Sequence, residues 1–158
     1  MAKNFYSKFR IISKELIGLT LQKIDERPEN INVGMHIAIK ADEQNANCKG
    51  GDTYTALITL GVKMYDDEKV SAEATSFKDV APDTETFRCT AAIEITLMFQ
   101  EPCVEDEPLG TRYAQELLSL AYDDFRIIIE DAINRTSYKG FYLPDDFREI
   151  ATNENLLT

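Results

Sequence analysis

The chain has 158 residues, a length that suits a single domain with a substantial core. Its 28 acidic and 17 basic residues give a net charge of -11, which disfavours nucleic-acid binding because that requires clustered lysine and arginine. No apolar run is long enough for membrane insertion, and the N-terminus lacks the apolar core of a secretory signal. We therefore expect a cytoplasmic protein that binds neither nucleic acid nor membrane.

Residues 5–22 fit two patterns of secondary structure. Apolar residues at odd positions favour a long strand: Phe9, Ile11, Ile17, Leu19 and Leu21. Apolar residues at helical spacing fit a helix equally well: Phe5, Phe9, Ile12, Leu16 and Leu19. Gly18 and Thr20 weigh against a helix because both have low helix propensity. Periodicity alone leaves both interpretations open.

Three later segments, residues 31–40, 53–65 and 87–99, alternate apolar and polar side chains. Such alternation is typical of strands that bury one face. Together with the N-terminal segment as a strand, they predict an antiparallel four-stranded sheet with one covered face. A weaker alternation at residues 70–77 is compatible with a short fifth strand.

After Pro102 the period changes, and residues 111–136 show the spacing of a long amphipathic helix. A second apolar stripe on this helix consists of Tyr113, Leu120 and Ile127. Either a second chain or the C-terminal segment has to cover this stripe. Pro144, followed by two aspartates, predicts a short C-terminal helix. The predicted fold class is α+β, with the sheet followed by the long and the short helix, in a single domain over residues 1–158.

Few side chains suit catalysis. His36 is the only histidine, and no nucleophile motif accompanies it, so we expect an ordinary sheet residue. The three cysteines, Cys48, Cys89 and Cys103, are far apart, which predicts reduced thiols and no zinc site. The sequence therefore predicts a protein that is not an enzyme, with no catalytic residue, no metal and no cofactor.

The N-terminal segment has more apolar side chains than one face of a strand can bury. An apolar surplus of this kind indicates an interaction surface, although the segment can also pack entirely inside the core. The candidate peptide-binding residues are Phe9, Ile11, Leu16, Ile17, Leu19 and Leu21.

Four stretches, in their order along the chain, resemble the SecB family of protein-export chaperones: Arg10–Ile17, Asp52–Tyr54, Leu120–Tyr122 and Gly140–Phe147. The resemblance implies an ATP-independent molecular chaperone that binds unfolded or partly folded polypeptides in apolar grooves. It also implies a homo-oligomer, a dimer or a tetramer, and a translocase motor protein as a further partner.

The sequence also departs from the family pattern. Asp123 and Asp124 stand where the family has prolines in its main helix. Glu15 and Glu94 match the acidic positions for partner docking, but Leu19 stands where a further acidic residue is expected. The alternative function is therefore a SecB-fold interaction protein dedicated to one folded partner, for example an antitoxin-type client.

Overall fold

The computed structural model describes residues 2–41, 49–68, 84–102 and 112–150. The elements in chain order are helix α1 (Ala2–Lys8), strands β1 (Phe9–Lys23), β2 (Ile31–Ala41), β3 (Thr53–Asp66) and β4 (Glu85–Phe99), and helix α2 (Ala114–Asn134). A short C-terminal helix follows at residues 147–150. Neither α1 nor α2 is long and apolar enough to cross a membrane.

The four strands form one antiparallel sheet in the order β1-β4-β3-β2, so the predicted α+β fold is confirmed. The choice left open for residues 5–22 is resolved in favour of a strand from Phe9, with a short helix before it. The possible fifth strand at residues 70–77 lies outside the described residues. Among those residues, β1 and β2 are the edge strands and β3 and β4 are central.

A tight turn leads into β3. The N–H of Asp52 donates to the carbonyl of Lys49 at 3.1 Å, and the Asp52 carboxylate accepts from the Lys49 N–H at 2.8 Å. Gly51 has a φ of 93°, a left-handed conformation that glycine adopts without steric cost. The turn signal at residues 49–52 therefore has a direct structural role.

The covered face of the sheet consists of alternate residues of the two central strands, as the sequence predicts. The buried side chains of β4 are Phe87, Cys89, Ala91, Ile93, Ile95, Leu97 and Phe99. Helix α2 buries one stripe at the spacing of three and four residues: Leu117, Ala121, Tyr122, Phe125, Ile129 and Ile133. Both patterns follow from the periods of strand and helix.

The chain divides into two compact units, and each contains a part of every strand and of α2. The first comprises Met1–Ile17, Ala38–Thr59 and Ala92–Asp124. Its described part contains an aromatic cluster in which the Phe9 ring lies 4.9 Å from Phe99 and 5.0 Å from Tyr113. Phe5 of α1 joins this cluster, which fixes the start of β1. The prediction of a single domain stays a prediction.

The second unit comprises Gly18–Ile37, Leu60–Ala91 and Phe125–Thr158. Its C-terminal segment is held to α2 by Asn134, whose side-chain oxygen accepts from the Gly140 N–H at 2.6 Å. Glu130, one turn earlier, accepts from the Leu143 N–H at 2.8 Å. These bonds satisfy backbone groups beyond the helix end and position buried Tyr138, Leu143, Phe147 and Ile150.

Candidate apolar binding surface

The exposed apolar side chains of the described chain are concentrated on β1 and the residue after it. Six aliphatic side chains there are between 40% and 49% exposed, and we call them the β1 apolar row: Ile12, Leu16, Ile17, Leu19, Leu21 and Ile24. Polar residues such as Ser13 and Thr20 stand between them. Isolated exposed aliphatic residues are common, but a row along one strand is typical of an interaction surface.

Both faces of β1 carry members of this row. Leu16 and Ile17 are adjacent, and successive side chains of a strand point to opposite faces. Exposed apolar side chains of β1 therefore lie on both faces of the strand.

β1 pairs with β4 in the sheet. At one end, the N–H of Gln100 donates to the carbonyl of Lys8, and at the other the N–H groups of Ile24 and Asp25 both donate to the carbonyl of Thr86. Lys8 and Ile24 directly flank β1, so these bonds mark the two ends of the pairing.

Two side chains connect the first half of β1 to the region of α2. Phe9 packs against Tyr113, directly before α2, and Lys14 reaches Asp124 on α2 with an Nζ–Oδ2 distance of 3.1 Å.

The structure separates the predicted peptide-binding residues into two groups. Leu16, Ile17, Leu19 and Leu21 lie together in the β1 apolar row. Ile11 is half-buried, and Phe9 is 2% exposed within the aromatic cluster. Phe9 is therefore a core residue, whereas the four in the row are open to solvent.

Ile12 and Ile24 belong to the row but lie outside the predicted site residues. Ile12 has the even position that, among the predicted peptide-binding residues, only Leu16 shares. Ile24 adjoins the charged Asp25 and Glu26, beyond the apparent end of the strand. The exposed Glu15 on β1 and the half-buried Glu94 on β4 are the two predicted docking residues.

Among the described residues, Cys89 and His36 are the thiol and the imidazole that could take part in covalent chemistry, and neither belongs to the β1 apolar row. Cys89 is fully buried on β4, and burial raises the pKa of its thiol to about 11. His36 is exposed on β2. Within residues 2–41, 49–68, 84–102 and 112–150, no group of three or more His, Cys, Asp or Glu side chains is placed to hold a metal ion.

Comparison with known proteins gives a likeness of fold. No family model matches the sequence, and no curated protein sequence matches it. Among solved structures, the chain is similar to the Mycobacterium tuberculosis Rv1957 SecB-like chaperone, solved in complex with a ChAD peptide from the Rv1956 HigA1 antitoxin. The TM-score is 0.58 at 11% identity, over 90% of this chain and 93% of that chain. The chain therefore has a SecB-like fold.

Proposed function

We propose that the protein is a SecB-like, ATP-independent chaperone that binds unfolded or partly folded polypeptides through the β1 apolar row. The observation that carries this proposal is the exposure of six aliphatic side chains along one edge of the described sheet. The SecB-like fold supports it, and the Rv1957 chaperone is bound to a peptide in its own structure. The role requires no catalytic residue and no nucleotide.

The chemistry of the row suits ligands without a fixed sequence. Aliphatic side chains provide non-directional contacts, and their burial contributes about 25 cal/mol per Å² of apolar surface removed from water. A half-exposed leucine or isoleucine that becomes fully covered adds about 1 kcal/mol. Several such residues acting together give a useful affinity for an apolar segment of an unfolded chain.

The test is suppression of aggregation, without nucleotide, of guanidine-denatured luciferase diluted into buffer. We expect suppression at near-stoichiometric ratios. The double variant Ile17→Thr/Leu19→Thr keeps a strand-compatible surface but removes aliphatic area, and should lower client affinity by about tenfold. The matched control is Ile127→Thr, at an isoleucine 71% exposed on α2, which should bind like the unaltered protein. No suppression by the unaltered protein at excess refutes the proposal.

A second function is also supported by a specific observation, since the Rv1957 structure contains a peptide from an antitoxin. On this alternative, the protein is an interaction protein dedicated to one partner, and the same row binds one segment of it. A pull-down that returns one protein, together with no suppression of luciferase aggregation, would favour the dedicated role.

The proposal includes a cytoplasmic location and a homo-oligomeric state, a dimer or a tetramer. Support for self-association comes from the unpaired outer edge of β1 within the described sheet, because long apolar edge strands pair readily with other chains. A role in export would add docking to a translocase motor through Glu15 and Glu94. Light scattering provides the mass in solution, and a monomer would count against the oligomeric chaperone.

A further inference from the structure

One ion pair connects β1 to α2 beside the β1 apolar row. The Lys14 Nζ lies 3.1 Å from Asp124 Oδ2 and donates to the Leu120 carbonyl at 3.4 Å. Along β1, Lys14 lies two positions from Ile12 and two positions from Leu16. The lysine that is tied to the helix therefore stands between two exposed aliphatic residues of the row.

We infer that the Lys14–Asp124 pair is a gate at the β1 apolar row. A polypeptide segment that lies along β1 and contacts both Ile12 and Leu16 has to pass the lysine that joins the strand to the helix. The pair is closed in the free protein, and a bound segment displaces it. This inference deepens the proposed function and rests on it.

The partial exposure of both side chains limits the free energy of the ion pair. The Lys14 and Asp124 side chains are 33% and 38% exposed, so water and salt screen their attraction. An ion pair of this kind shifts an equilibrium by at most about fivefold. The ion pair therefore lowers the affinity for clients without preventing binding, and a client with a long apolar segment displaces it readily.

The central test removes one charge and keeps the shape of the side chain. Asp124→Asn should raise the affinity for reduced, carboxymethylated lactalbumin, a permanently unfolded probe, by about two- to fivefold. Lys14→Gln should raise it similarly. The charge exchange Lys14→Glu/Asp124→Lys re-forms a pair between the same elements and should return the affinity toward that of the unaltered protein.

A matched control exists near the far end of the strand. Lys23 forms a 3.1 Å ion pair with Glu26, three residues away on the same segment, so this pair does not reach a helix. Glu26→Gln removes an ion pair of similar length and should leave affinity unchanged. Added sodium chloride should strengthen probe binding by the unaltered protein more than binding by Asp124→Asn, because only the former has a pair to screen.

A second probe separates this inference from the proposed function. Binding of the apolar dye bis-ANS reports the accessibility of the row even where no polypeptide binds. If lactalbumin binds no form of the protein, the chaperone proposal fails, and greater dye binding by Asp124→Asn than by the unaltered protein still supports the gate. Equal or weaker binding of both probes by Asp124→Asn overturns the gate.

Discussion

Strands β1 and β4 are neighbours of equal length, 15 residues each, and both are rich in apolar side chains, yet their environments are opposite. On β4, alternate side chains from Phe87 to Phe99 are buried almost completely. On β1, Phe9 is buried and most later residues are exposed. Position in the sheet, and not apolar content alone, therefore determines which strand builds the core and which presents a surface.

The two strands differ in exposure because they differ in the number of strands beside them. β4 is flanked by β1 and β3, and its regular alternation directs every second side chain to the covered face. β1 has one neighbour in the described sheet, and its adjacent Leu16 and Ile17 place aliphatic side chains on both faces. The same apolar chemistry thus stabilises the fold on β4 and remains available for binding on β1.

The largest expected effect compares matched isoleucines on the two strands. Ile95 on β4 is 0% exposed, and Ile95→Ala should lower the free energy of unfolding by about 2–5 kcal/mol, since it leaves a cavity in a packed core. Ile17 on β1 is 49% exposed, and Ile17→Ala should cost less than about 1 kcal/mol. Urea unfolding measures both free energies, and equal losses would contradict the claim that β4 builds the core while β1 presents a surface.

A smaller effect compares thiols on the two strands, in a background with Cys48→Ser and Cys103→Ser. At neutral pH, buried Cys89 should react with iodoacetamide at least about a hundredfold more slowly than a cysteine introduced by Leu19→Cys, because the thiolate is the nucleophile. Burial raises the pKa of Cys89 from 9.0 to about 11. Comparable rates for the two thiols in the folded protein would show that the Cys89 thiol on β4 is as accessible to the reagent as a thiol on β1.

The raised pKa of Cys89 also makes stability depend on pH. The folded state favours the protonated thiol, so this contribution to stability is complete below about pH 9 and is lost as pH rises toward 11. Cys89→Ala should therefore show a smaller decline in the free energy of unfolding across this range. An unchanged decline would assign the pH dependence to other groups.

The alternation of the central strands made much of the fold predictable from the sequence. A residue such as Ile95 lies in a regular strand, so its parity alone predicts which face it occupies. The long helix was predictable for the same reason, since its buried stripe follows the helical period. These elements have regular geometry and one dominant environment.

The site was only partly predictable because it depends on contacts between distant parts of the chain. The exposure of Leu16, Ile17 and Leu19 follows from the pairing of β1 with β4, which are far apart in sequence. The contact between Lys14 and Asp124 likewise joins distant parts of the chain. Periodicity reports local structure, and the pairing order of the strands is not encoded in it.

The central claim is that polypeptides bind to the β1 apolar row, and site-specific photocrosslinking tests it most directly. The photoreactive residue benzoylphenylalanine is placed at Leu19 in one variant and at Ile127 in another, and each variant is illuminated with unfolded lactalbumin. Ile127 is the more exposed of the two, at 71% against 43%, so exposure alone would favour it. We predict crosslinks to the probe from position 19 and few from position 127; equal or stronger crosslinking from position 127 would contradict binding at β1.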